Sequence, residues 1–187
     1  MKLLSAGLMA ALAASALPAR AAPAQVIIIR HGEKPDTGPD LDAQGYQRAA
    51  ALVGFFESNP AVTRYGPPVA IYAMDPKDED GSMRPIETVT PLADALKLTI
   101  DHDYLKDQLP QLVSDIMADK DYDGKMVLVC WEHKVIPDLV RDFGWESPPK
   151  WPGGSVFDQA WILDFDASGT VSSFQVVPEH VLPGDSD

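Results

Sequence analysis

The chain has one cysteine in 187 residues, Cys130, so it can close no internal disulfide. It has no H-E-x-x-H and no pair of thiols, the two commonest frameworks for zinc. Basic residues are scarce: 15 Lys and Arg stand against 28 Asp and Glu, a formal charge of -13. A surface so acidic repels nucleic acid and anionic lipid, which excludes both as natural partners. Beyond residue 21 there is no apolar run long enough to cross a bilayer. No internal repeat is present, and Gly153-Gly154-Ser155 lacks the pattern of a nucleophile elbow. Two Asp-rich stretches, 119–124 and 164–169, match the front half of a calcium loop, but Cys130 and Gln175 stand where the bidentate Glu belongs. Both run straight into strand-like sequence and read as turns.

What is present begins with a leader. Lys2 precedes an apolar stretch from Leu3 to Leu17, and Ala19-Arg20-Ala21 offers small residues at cleavage spacing. Residues 1–21 are therefore expected to be a secretory signal peptide and the protein to be periplasmic or secreted. Residues 22–187 are expected to form a single domain, with 178–187 as its tail. Cys130 sits in the apolar run Met126 to Trp131, where a buried inert thiol is the simpler reading.

The pattern alternates strands and helices. Gln25 to Arg30 reads as a buried strand and His31 to Asp40 as a loop. Asp42 caps a helix with Ala49, Leu52, Val53 and Phe56 on one face. A strand over 69–73 and a helix from Pro85 toward Lys97 follow, with Pro91 expected to kink or interrupt it. A brief strand at 98–100, a helix over 110–118, a strong strand over 125–131 and a helix over 136–143 come next. The chain closes with strands at 160–165 and 171–177. Fold class is α/β: a three-layer α/β/α sandwich with a largely parallel, partly mixed sheet. Trp145, Trp151 and Trp161 lie among prolines and are read as core, with a wall for an organic substrate as the alternative.

In such sheets ligands bind beyond the carboxyl ends of the strands. Arg30 and His31 end the first strand, Arg84 opens the helix after the second, and His133 follows the strongest strand. Two guanidinium forks and two imidazoles at one edge suit a phosphate, which carries several charges and accepts bidentate bonds.

These residues carry a resemblance. Arg30-His31-Gly32-Glu33 resembles the RHG signature of the histidine phosphatase superfamily, whose members include the phosphoglycerate mutases. Leu41-Asp42-Ala43-Gln44-Gly45 resembles its L-(S/T)-x-x-G segment, and Ser82 to Thr88 its S-x-x-R-x-x-x-T element. Val127 to His133 resembles the strand that delivers the second His. The resemblance implies a phosphomonoester hydrolase working through a phosphohistidine at His31, with no metal or other cofactor. It implies that Arg30, Arg84 and His133 hold the nonbridging oxygens, and that Asp107 supplies the leaving-group proton, with Asp103 and Glu33 as rivals. Lys34 and Glu33, beside the signature, are candidate substrate contacts.

Two departures stand out. Trp131-Glu132 precedes the second His where a small residue is usual, so Glu132 must point away, pair with Lys34 or Lys134, select a cationic substrate or raise the basicity of His133. No long insert lies between Thr99 and Lys125, which predicts a shallow, open pocket. The expected partner is a small-molecule or surface phosphoester. A mutase is disfavoured by export, and a catalytically idle anion-binding module is the reading from another class.

Overall fold

The computed structural model describes residues 22–78 and 81–186, so the expected leader lies outside the described residues. Six strands form one sheet in the order β3-β2-β4-β1-β5-β6. They are β1 (Gln25–Arg30), β2 (Pro68–Ala73), β3 (Ile100–Asp101), β4 (Met126–Trp131), β5 (Gln159–Phe165) and β6 (Val171–Pro178). The contacts β1 to β4, β4 to β2 and β2 to β3 are parallel, while β5 pairs antiparallel with both β1 and β6. The sheet is therefore largely parallel and mixed, as expected.

Both faces are covered, which explains why β1 and β4 read as unbroken apolar runs. Val26 and Ile28 face one way and pack with Leu112, Ile116, Leu139 and Val140 of α3 (Leu109–Ala118) and α4 (Ile136–Asp142). Ile27 and Ile29 face the other way and pack with Leu52, Phe56, Val89 and Leu92 of α1 (Ala43–Ser58) and α2 (Arg84–Leu96). Trp151 and Trp161 stack in the first of these layers with ring centroids 5.2 Å apart. Cys130 is fully buried in the second. Among the described residues no helix is long and apolar enough to cross a membrane.

Local chemistry sets the ends of the elements. The Asp42 carboxylate accepts from the backbone N–H groups of Gln44 and Gly45, both at 2.8 Å, so α1 starts at Ala43. Pro91, expected to kink or interrupt α2, does not interrupt it: the helix runs through it to Leu96. One missing N–H is outweighed by the burial of Val89, Leu92 and Ala93 against the sheet. Lys97 then takes a left-handed conformation, φ 58°, and delays β3 to Ile100. The segment after β6 docks, with Glu179 buried and its N–H on the Asp158 carbonyl at 2.8 Å.

The start of α1 packs so closely on the loop after β1 that a side chain will not fit. A Cβ on Gly45 would lie 2.3 Å from the Glu33 carbonyl oxygen. Gly45→Ala is expected to cost about 1–3 kcal/mol in urea unfolding, the usual scale of overpacking. A loss under a few tenths of a kcal/mol would show that the loop yields freely.

Candidate active site

Parallel pairing of β1 with β4 is in register, Arg30 opposite Trp131, so the residues that follow each strand emerge side by side. The His31 N–H continues the ladder to the Trp131 carbonyl at 3.2 Å, and the Met74 N–H reaches Cys130 at 3.1 Å from the other flank. The carboxyl ends of β1, β4 and β2 thus open on one cavity of about 200 Å³. It is lined by Arg30, His31, Lys34, Met74, Ser82 and Arg84, with Glu132, His133 and Lys134 completing the wall. The two imidazoles and two guanidiniums expected together are brought together.

His31 is 4% exposed, and its Nδ1 lies 2.7 Å from the Gly32 carbonyl oxygen. A carbonyl only accepts, so Nδ1 carries the proton and Nε2 keeps its lone pair. Burial, then the charges of Arg30, Arg84 and His133, bring the His31 pKa down to about 4 against the pull of the Gly32 bond. The ring is neutral at any pH above that value. Its geometry and its charge state both suit a nucleophile.

The Arg30 guanidinium is fixed by the chain entering β5. Nη1 donates to the carbonyls of Gly154 (2.9 Å) and Val156 (2.6 Å), and the Phe157 ring lies 3.7 Å from the guanidinium carbon. Trp151 Nε1 donates to the same Val156 oxygen at 3.0 Å, so the Trp layer buttresses this turn. Burial pulls Arg30 down to about 10, opposed by Glu132 and Glu33, and it remains a cation at neutral pH. Arg84 comes from the first turn of α2, and its guanidinium donates to the carbonyls of Asp40 and Gly38. Thr88, one turn on, joins the two halves: its hydroxyl donates to the Arg84 carbonyl at 2.7 Å and accepts the Gly32 N–H at 2.8 Å.

His133 is pushed below the usual histidine range by burial and by Arg30, with Glu132 opposing. Arg30 Nε and His133 Nδ1 are both buried without a hydrogen-bond partner among the described residues. An unmet buried polar group costs about 1–3 kcal/mol, and an oxyanion supplies the acceptor that an N–H lacks. No group of three or more His, Cys, Asp or Glu among the described residues is arranged to hold a metal ion.

The architecture around this cavity has counterparts among solved structures. One is the protein histidine phosphatase SixA complexed with tungstate, at a TM-score of 0.54 and 16% identity, over 83% of this chain and 97% of that one. The chain has the histidine phosphatase fold. A phosphoglycerate mutase from Plasmodium falciparum is also similar, at a TM-score of 0.48 and 15% identity, over 87% of this chain and 96% of that one. No family model matches the chain, and no curated protein matches it.

Within this histidine phosphatase fold, two expected contacts fall elsewhere. Asp107 sits on an exposed turn before α3 and is not among the cavity residues. The chain reaches α3 quickly, with Leu109 already buried, so the preceding carboxylate is left in solvent. Glu33 turns away from His31: both its oxygens are taken by Arg48, with Nη2 to Oε1 at 2.6 Å and Nε to Oε2 at 3.0 Å. Arg48 also reaches Asp185 (2.7 Å) and Glu179 (3.2 Å) in the docked tail. Glu33 is thus a bracket for the loop rather than a substrate contact. Lys34 lies exposed at the cavity mouth.

Glu132 does not point away, and of the two lysines expected to pair with it Lys134 does and Lys34 does not. Glu132 lines the cavity and forms an ion pair with Lys106, with Lys134 Nζ at 3.9 Å. Lys106 carried no signal in the sequence, since its contact is built by tertiary packing: buried Trp131 donates Nε1–H to the Lys106 carbonyl at 3.3 Å. Phe157 and the tail carboxylates were equally silent, because each lies more than a hundred residues from its partner.

Proposed function

We propose that this protein is a phosphomonoester hydrolase in which His31 accepts the phosphoryl group. The observation that carries this reading is the buried, neutral His31 ring, with Nδ1 bonded to Gly32 and Nε2 free, in one cavity with Arg30, Arg84 and His133. Nε2 attacks phosphorus, the bond from phosphorus to the ester oxygen breaks, and the leaving group departs with the electron pair. The two guanidiniums and His133 hold the nonbridging oxygens as charge redistributes, which is where such sites gain most of their rate. Water then cleaves the phosphohistidine. A small-molecule or surface phosphoester fits a cavity of this size, and the leader-like sequence of residues 1–21 supports an activity outside the cytoplasm. The likeness to a SixA that binds tungstate, a tetrahedral oxyanion, supports the same chemistry here.

A second reading, an anion-binding module without turnover, is favoured by one fact. Arg30 Nη1 is already committed to two carbonyls. The two part in one experiment. After incubation with an aryl phosphate and an alkaline quench, which preserves phosphohistidine, peptide mapping is expected to find phosphate on the peptide carrying His31. Phosphate that binds reversibly, with no phosphoenzyme and no phenol released, leaves only the module.

A further inference from the structure

Hydrolysis of the phosphohistidine is accelerated by a group that takes a proton from water as its oxygen bonds to phosphorus. Asp107 is in solvent and Glu33 is chelated by Arg48, so neither of these carboxylates is in the cavity. Among the described residues one carboxylate does line the wall shared with His31, and it is Glu132. The register explains its place: Arg30 pairs with Trp131, so His31 and Glu132 are the next residues out along adjacent parallel strands.

We infer that Glu132 is the catalytic base of the dephosphorylation step, a proposal that rests on His31 being the phosphoryl acceptor. A water oxygen forms its bond to phosphorus while the bond from phosphorus to His31 Nε2 breaks, the electron pair returning to Nε2. The water proton goes to a Glu132 carboxylate oxygen, and inorganic phosphate leaves. No further reactant is needed.

Three observations support this assignment. The carboxylate is held: Oε2 is paired with Lys106, and Lys106 is anchored through its carbonyl to the Trp131 indole. The second oxygen is available, since Lys134 Nζ stands 3.9 Å from Oε1, beyond hydrogen-bond reach. Finally, a negative charge facing an oxyanion opposes binding by an amount on the order of several kcal/mol. Lys106 and Lys134 offset that repulsion, an arrangement that a carboxylate with no work in the cavity would not require.

The test is pre-steady-state hydrolysis of 4-nitrophenyl phosphate by Glu132→Gln. Its leaving group departs unprotonated, so the first half-reaction is expected to survive. Nitrophenolate should appear in a burst approaching one equivalent per protein. Steady turnover should then fall about 10²–10⁴-fold, the scale of general-base catalysis, while phosphohistidine accumulates on His31. Added formate, a carboxylate small enough to enter the cavity, should shorten the lifetime of that phosphoenzyme. Lys106→Met loses the ion pair but retains the base, so its turnover should fall less than that of Glu132→Gln and its phosphoenzyme should gain nothing from formate, which separates base catalysis from loss of the ion pair. If Glu132→Gln clears its phosphoenzyme at the wild-type rate, or loses burst and turnover together while Lys106→Met behaves the same, Glu132 is not the base and His31 keeps its role. If the wild-type protein never carries phosphate on His31, both readings fall.

Discussion

Replacing His31 with Ala is expected to lower the hydrolysis of an aryl phosphate by roughly 10⁴-fold or more, the scale on which an activated nucleophile acts. The protein should remain folded. The His31 side chain makes one hydrogen bond, to the carbonyl of the adjacent Gly32, so its removal unties no hydrogen-bonded network between elements of the fold. Inorganic phosphate should still bind, because Arg30, Arg84 and His133 remain. This combination distinguishes loss of a nucleophile from loss of a pocket. Equal rates for His31→Ala and wild type would falsify the hydrolase reading.

The same ring sets the acid limit of activity. An imidazole attacks phosphorus only when neutral, and burial with nearby cations has brought His31 to about 4. Activity is therefore retained above that value and lost as pH falls through it. The acid limb of kcat/KM, corrected for the ionisation of the ester itself, is expected near pH 4. A histidine with its ordinary pKa, about 6.5, would already be mostly protonated at pH 5. A limb at that ordinary value would show that burial and the neighbouring cations do not depress the His31 ring.

How far the sequence discloses this site follows from how each residue is placed. Arg30, His31 and His133 sit at the ends of β1 and β4, whose unbroken apolar runs announce buried strands. The rule that ligands bind beyond the carboxyl ends then brings them together. Arg84 is readable because a helix start and Pro85 flag the turn that presents it. Trp131 and Glu132 were legible only as departures, for their meaning depends on Lys106, which packing brings to the carboxyl end of β4. The Glu33 carboxylate was beyond reach for the same reason. Nearness to His31 suggested a substrate contact, whereas the chain has left β1 for a loop by then, and there the Glu33 carboxylate is taken by Arg48. Pro91 shows the converse limit, a strong local signal overruled by burial of the helix face around it.

The tail is where the largest loss of stability is expected. Arg48 is 2% exposed and offers every N–H group to carboxylates: Glu33 before α1, and Glu179 and Asp185 after β6. Arg48→Met keeps the aliphatic bulk and leaves three buried acids without a cation. Removing one partner of such a set typically costs about 3–5 kcal/mol, measured here by urea unfolding, and should expose residues 179–186 to carboxypeptidase. A loss below about 1 kcal/mol would mean that water already screens the cluster. One guanidinium cannot neutralise three acids, and burial, with Asp158 and Asp185 nearby, pushes Glu179 up to about 8 although Arg48 opposes the shift. The folded state thus holds that proton more tightly than the unfolded chain does. The corresponding stability is fully present below the ordinary Glu value of about 4.5 and is lost as pH rises through about 8. Glu179→Gln mimics the protonated side chain. It should match wild type near pH 5 and become the more stable protein above pH 8. Identical stability-against-pH curves for the two would show that the proton sits elsewhere in the cluster.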